Sequence, residues 1–210
     1  MDKGVTKAMF QMRGVPTPGG KAMKKKDRQD SLAALGMEFP VVVKTCCGGS
    51  SIGVYIVDNQ EDYVKALDEA FEYENEVVIE EFIKGVEYTV AVVDGTVYPV
   101  VQIVPKEGFY DYENKYKPGA VQETCPAPIS EELTKRLQEA AVDGYHALEM
   151  ESYARLDFIV TEDEKIYCLE ANTLPGMTPT SLIPQEAAVL GMDYPTLCEE
   201  LIRVSQKKYN

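Results

Sequence analysis

Between Tyr153 and Met177 the chain reads YARLDFIVTEDEKIYCLEANTLPGM, and four of its side chains could do chemistry together. Ala154–Val160 and Lys165–Ala171 read as two strands joined by a turn over Thr161–Glu164. Residues two apart on a strand face the same way. Arg155 and Asp157 therefore share a face, as do Glu170 and Asn172. Paired antiparallel, the four converge on one point. Asp157, Glu170 and Asn172 offer hard oxygen donors, which suits Mg²⁺ held together with substrate phosphates. Arg155 beside them would stabilise charge on a transferring phosphoryl group or an oxyanion. A hairpin with a solvated polar face is the plainer alternative. Against it stand an apolar opposite face of Leu156, Phe158, Leu169 and Ala171, and the unusual run N-T-L-P-G-M-T that follows at once.

The elements that must position this hairpin are read in order. Asp2 is a plausible N-cap for a helix through Arg13, ended by Gly14. Val15–Pro18 is extended, and Lys24–Lys26 is a solvated surface run. Asp30–Gly36 reads as a short helix closed by its glycine. Phe39–Lys44 is an apolar strand ending in a lysine, which either snorkels to the surface or aims at an anion. The loop Cys46–Gly53 and the strand Val54–Val57 follow it. Glycine and serine between two strands give a loop whose N–H groups can wrap phosphate oxygens, or simply a flexible hairpin tip. It is not a P-loop, which ends in Gly-Lys-Ser/Thr and opens a helix.

Glu61–Tyr73 has the apolar spacing of an amphipathic helix, at Tyr63, Leu67, Ala70 and Phe71. Strands are expected at Glu76–Glu80, Glu87–Val93 and Val97–Val104, the last two joined by a turn at Asp94-Gly95. Pro105–Pro118 is a long loop with four aromatics, which argues for function over disorder. Ser130-Glu-Glu-Leu resembles a capping box and opens a helix to about Glu149, on which His146 reads as structural. Pro184–Leu190 and Pro195–Lys208 are helical. The architecture expected is α+β, with mostly antiparallel sheets flanked by helices: a small lobe over 1–80, a larger lobe over 81–210, and a cleft between them.

Composition excludes several classes. The 210 residues carry a net charge of −14, which argues against nucleic acid or an anionic membrane as partner. No apolar run approaches membrane-span length and no signal peptide is visible, so a cytoplasmic setting is expected. Five cysteines, an odd number, make no disulfide framework, and free thiols are expected. A single histidine and no C-x-x-C speak against a zinc site or a Ser-His-Asp triad.

The ordered motifs resemble the D-alanine–D-alanine ligases, members of the ATP-grasp superfamily. The likeness runs over essentially the whole chain. It rests on Met1-Asp-Lys3, on the strand–Lys44–Gly/Ser loop–strand order, and on Val77–Gly85 followed by Glu87. The run Tyr110-Asp-Tyr-Glu-Asn-Lys-Tyr116 and R-L-D-F…L-E-A-N-T-L-P-G-M-T complete it. The resemblance implies that ATP phosphorylates one D-alanine and that the amine of a second attacks the acyl phosphate, in peptidoglycan precursor synthesis. It implies that Lys3, Lys44 and Lys115 bind ATP phosphates, with Ser51 in the lid over them. Glu80, Glu81, Phe82 and Ile83 line the adenine pocket, Leu169 adds to the ATP site, and Glu87 holds the ribose.

Asp157, Glu170 and Asn172 would hold two Mg²⁺ ions, with Mn²⁺ as a substitute. Arg155 and the backbone at Gly176 would stabilise the oxyanion, and Ser181 and Leu182 would hold the second amino acid's carboxylate. Ser50 and Tyr116 would join a hydrogen-bonded trio whose third member lies in an N-terminal domain. That domain has no counterpart in a chain starting at Met1-Asp-Lys3, so the expectation is a fragment or a chain completed by a separate N-terminal chain, with the intact enzyme a homodimer. Thr45 departs from the family's usual proline. Tyr116 favours an amine as second nucleophile. Ligation to D-serine or D-lactate, or an ATP-binding fragment without ligation of its own, are the alternatives.

Overall fold

Two antiparallel sheets with a helix wedged between them organise the computed structural model, which describes residues 2–49, 52–105 and 121–209. The first sheet has the order β1-β4-β2-β3, with β1 at Gly20–Lys24, β2 at Val41–Thr45, β3 at Val54–Val57 and β4 at Glu76–Glu81. Helix α2 (Gln60–Tyr73) starts at Asn59, whose side chain accepts from the Asp62 N–H at 2.9 Å. It buries Tyr63, Ala66, Leu67, Ala70 and Phe71 against Val41, Val43, Val57, Val77 and Ile79. Strand β1 departs from the sequence expectation. Met23 is its one buried residue, so an edge strand of this kind carries almost no apolar pattern. The helix expected at 30–36 is a 3-10 turn over Leu32–Leu35, closed by Gly36 at φ +69°.

The second sheet has the order β10-β9-β5-β7-β8. Its strands are β5 (Val86–Val93), β6 (Thr96–Val97), β7 (Val101–Pro105), β8 (Val121–Thr124), β9 (Tyr153–Val160) and β10 (Ile166–Asn172), with β6 pairing the end of β5. Asp94 and Gly95, at φ +51° and +76°, make the expected two-residue hairpin. The return strand is broken: β6 and β7 are separated by Tyr98-Pro99-Val100, where proline has no N–H to give the ladder.

Strand β5 is buried on both faces. Tyr88, Val90 and Val92 meet helix α3 (Glu131–Ala147) through Leu133, Leu137, Ala141 and Tyr145. The alternate residues Ala91 and Val93 meet helices α4 (Leu182–Val189) and α5 (Tyr194–Gln206). No described helix is long and apolar enough to cross a membrane.

Helix α1 (Lys3–Arg13) is capped by Asp2 as expected, its carboxylate accepting from Val5 N–H at 3.0 Å, and ends at Gly14 with φ +75°. Sequence order puts it with the first sheet, yet its Phe10 is wholly buried in the core of the second, beside Tyr145 and Leu156. Its N-terminal turn lies on the first sheet. A Cβ at Gly4 would stand 3.3 Å from Ala22 Cβ and 3.5 Å from Cys46 Sγ. The helix thus touches both sheets, and its Lys3 and Lys7 face the seam between them.

Candidate functional site

The hairpin β9–β10 puts Asn172 opposite Arg155 and Glu170 opposite Asp157, as the alternation predicts. One residue breaks the period. Cys168 pairs with Phe158 and Glu170 with Asp157, so Leu169 is extra, a β-bulge. Cys168 and Ala171, three apart, therefore reach the buried core with Leu156 and Phe158. Leu169 does not belong to that apolar face, contrary to expectation. It is half-buried beside Glu170. The bulge both preserves the facing of the polar set and releases Leu169 from the core.

Asp157 is the hub. Arg155 donates to it from Nε and Nη2, both at 2.8 Å, as a two-point ion pair. Thr89, directly across on β5 and wholly buried, donates its hydroxyl to Asp157 Oδ1 at 2.6 Å. Asn172 Nδ2 donates to Asp157 Oδ2 at 2.8 Å and to Glu170 Oε1 at 3.2 Å. Lys3 reaches across from α1 to Glu170 Oε2 at 3.3 Å, and donates to the Gly48 carbonyl at 2.5 Å.

Asp157, Glu170 and Asn172 therefore meet at one point. Among the described residues no three His, Cys, Asp or Glu side chains gather elsewhere or here, so a cation would rest on two carboxylates and an amide. That donor set fits Mg²⁺, which takes one or two carboxylates and leaves its other positions to water and phosphate. A half-turn of the Asn172 amide would put Oδ1 where Nδ2 now donates.

The residues expected on the nucleotide side fall on the first sheet and the link. Lys44 and Glu80 share the face of that sheet turned away from α2, as diagonal neighbours on β2 and β4. Glu80 is 2% exposed and pairs with Lys44 at Oε1 and with Lys7 at Oε2, the latter at 2.9 Å. Burial pushes its carboxyl up, but the two ammoniums outweigh burial and hold it below its ordinary range. Glu81 is exposed, and its carboxylate accepts from Gly19 N–H at 2.7 Å. Phe82 and Ile83 are half-buried, and Phe82 N–H donates to Pro40 O at 3.1 Å. Glu87 lies on the Thr89–Asp157 face of the second sheet, opposite Ile103 and Ile159.

On that same face α4 begins. Ser181 is its N-cap residue, with Oγ turned back to accept from Thr178 N–H at 3.0 Å. A Cβ at Gly176 would come within 3.3 Å of that hydroxyl. The Leu182 side chain is buried with Val101 and Ile103, so only its backbone, in the first turn, where N–H groups lack intrahelical acceptors, could meet a carboxylate.

A family model described as "D-ala D-ala ligase C-terminus" matches residues 9–203. The chain belongs to this ligase family. A D-alanine–D-alanine ligase of Syntrophotalea carbinolica is 43% identical over 202 residues, covering 96% of this chain and 65% of that protein. The chain thus spans about two thirds of the length of the curated ligases it matches. The solved D-alanine–D-alanine ligase of Bacillus anthracis complexed with ATP superposes with a TM-score of 0.84 at 34% identity, covering 98% of this chain and 66% of that one. The Enterococcus faecalis VanG D-Ala:D-Ser ligase gives 0.85 at 30% identity, covering 97% and 61%. The fold is that of the ATP-grasp ligases, as expected.

Within this family fold, the expected Ser50, Ser51, Lys115 and Tyr116, and the aromatic loop around the last two, lie outside the described residues. The foot of the loop after β2 is built for glycine at 48, where a Cβ would stand 2.1 Å from Thr45 Oγ1. That hydroxyl in turn bonds Ile52 O at 3.2 Å. All five cysteines are free, as expected. Two polar residues of the candidate site carried no decisive signal in the sequence. Thr89 is a lone hydroxyl in the strand Tyr88–Val93, and Lys7 stands one helical turn after Lys3, a spacing that puts both on one face of α1.

Proposed function

We propose that this chain carries the nucleotide- and metal-binding part of an ATP-dependent ligase joining two D-alanines through an acyl phosphate. The observation that most supports it is the meeting of Arg155, Asp157, Glu170 and Asn172 on one sheet face, with Lys3 reaching Glu170 from α1. Lys3 and Lys44, with Lys115 of the aromatic loop, would neutralise the ATP phosphates. Leu169, Phe82 and Ile83 would line the base, with the backbone at Glu80 and Glu81, and Glu87 would take the ribose hydroxyls. Asp157, Glu170 and Asn172 would hold up to two Mg²⁺ ions, which when bound supply charge neutralisation at the phosphates. The γ-phosphoryl group passes to a carboxylate oxygen of the first amino acid, and ADP leaves. The free amine of the second amino acid then attacks that carbonyl carbon, and phosphate departs.

Arg155 is locked on Asp157 by two hydrogen bonds, so its guanidinium is already oriented for an oxyanion and costs no reorganisation. The Gly176 N–H would be the second donor. The first turn of α4, at Ser181 and Leu182, would receive the second carboxylate through its N–H groups. Ser50 and Tyr116 would close the loop over the reacting groups. D-Serine as second substrate is the next reading, supported by the likeness to the Enterococcus faecalis enzyme.

The test is a mass-spectrometric assay of D-alanine, D-serine and D-lactate with Mg·ATP, run beside ATP titration. Fused to the part of a ligase relative that it does not span, the chain should form mainly D-alanyl-D-alanine. The isolated 210 residues should bind ATP but ligate weakly. Correct alignment of the reacting groups can account for about 7–11 kcal/mol of the barrier, and this chain spans two thirds of its relatives' length. Predominant D-lactate ester at neutral pH would refute the amine reading.

A further inference from the structure

Two ammonium groups share one buried carboxylate at the seam between α1 and the first sheet. Lys44 takes Glu80 Oε1 and Lys7 takes Oε2, so each lysine has its own oxygen. Among the described residues neither lysine is paired with a second carboxylate. The buried trio therefore carries one positive charge in excess, and an anion would complete it. The two lysines are not equivalent. Lys7 is fixed, donating also to the Pro18 carbonyl at 2.6 Å and lying 3.3 Å from Thr17 Oγ1. Lys44 makes no such second bond among the described residues, and its side chain is the more exposed, 12% against 6%.

We infer that Lys7 is a positioning residue for nucleotide binding: it keeps Glu80 paired when Lys44 leaves that carboxylate for a phosphate. The inference rests on the reading of Lys44 as a phosphate ligand. A lysine is a point charge on a flexible stem, so Lys44 can swing from one anion to another. Were it the only partner, its departure would strand a buried carboxylate, the most costly way to break a buried pair. Lys7, held by the backbone at Pro18, cannot follow the phosphate and stays. Lys44 is thus released at small cost. The same helix face sends Lys3 to Glu170, so α1 governs both the lysine of the first sheet and a carboxylate of the second.

Calorimetric titration of ATP and of adenosine into the wild-type chain, Lys7→Met, Glu80→Gln and the double variant tests this. Methionine keeps the apolar stem but not the charge, so Lys44 stays pinned to Glu80, and ATP should bind at least about tenfold more weakly. Adenosine, which has no phosphate, should bind Lys7→Met as it binds the wild-type chain. The added Glu80→Gln removes the charge that pins Lys44 and should restore ATP affinity to within about threefold of wild type. A structural role for Lys7 would not be rescued that way. Unchanged ATP affinity in Lys7→Met, a loss not rescued by Glu80→Gln, or a parallel loss for adenosine would each overturn the inference. If Lys7→Met does not fold, Glu80→Gln alone decides: freeing Lys44 must tighten ATP, and equal or weaker binding overturns it. A wild-type chain that binds no ATP would instead overturn the ligase reading and, with it, this one.

Discussion

Glu80 and Glu186 are both buried, and their environments push them in opposite directions. Glu186 is wholly buried on α4. Its Oε2 accepts from Ala91 N–H at 2.8 Å, in the gap of the ladder left by Tyr98-Pro99-Val100, while Oε1 has no partner among the described residues. Burial drives its carboxyl far above the ordinary range, and the Ala91 N–H and the nearby Arg155 offset only part of this. In Glu80 the two lysines win over burial and the shift is downward. The signs of the stability effects follow. Glu80 contributes stability above the ordinary carboxylate range, lost as pH falls through its lowered folded value. Glu186 binds its proton in the folded chain after the unfolded chain has released it, so stability falls as pH rises above the ordinary range.

Urea unfolding between pH 3 and 8 should therefore show two limbs. Glu186→Gln keeps an acceptor for Ala91 N–H and should remove a decline of up to about 1.4 kcal/mol per pH unit above about pH 4.5. Glu80→Gln should flatten the acid limb instead. Equal slopes above pH 4.5 in wild type and Glu186→Gln would show that Glu186 is ionised when folded. Glu186 carries no sequence signal, because a glutamate in Pro184–Leu190 reads as the polar side of a helix. The facing of Arg155, Asp157, Glu170 and Asn172 was legible, because alternation in a hairpin is a local rule.

At the scale of elements, the bulge at Leu169 is the detail that alternation could not supply. Glycine, the usual mark of a bulge, is absent from Cys168-Leu169-Glu170, so a strict period of two puts Leu169 in the core. The register either side of it is continuous: Phe158 with Cys168, then Asp157 with Glu170. Deleting Leu169 should therefore leave a regular hairpin with Glu170 and Asn172 still opposite Asp157 and Arg155. We expect near-native circular dichroism and a melting temperature within a few degrees, with ATP affinity reduced about tenfold by the lost contact with the base. A deletion variant that binds ATP normally would remove Leu169 from the nucleotide site. Strand β1 and the β6–β7 break were equally hidden, the first because an edge strand needs little apolar surface, the second because Val97–Val104 is apolar throughout its strand-forming positions apart from Pro99 and Gln102.

Across the whole molecule, α1 is the piece that sequence order misplaces. Its Phe10 anchors in the second sheet's core while Gly4 and Lys7 lie on the first. Nothing local in Lys3–Arg13 says which sheet its apolar residue will meet, because that is decided by contacts far along the chain. Phe10→Ala should cost about 3–5 kcal/mol, read by denaturant unfolding. Loss of α1 docking should also weaken ATP binding, since Lys3 and Lys7 ride on the same helix. A variant that loses that stability yet binds ATP unchanged would separate α1 from the site.

The sheet face bearing Asp157, Glu170 and Asn172 is proposed to hold a magnesium–nucleotide pair. The direct measurement is calorimetric titration of ATP, with and without Mg²⁺, into the chain and its Asn172→Ala variant. Binding should need Mg²⁺ for full affinity in the wild-type chain. Asn172→Ala should lose about tenfold or more of the Mg²⁺-dependent part while its melting curve stays close to wild type. Equal ATP affinity with and without Mg²⁺, or an Asn172→Ala variant that binds Mg·ATP as tightly as wild type, would contradict the claim.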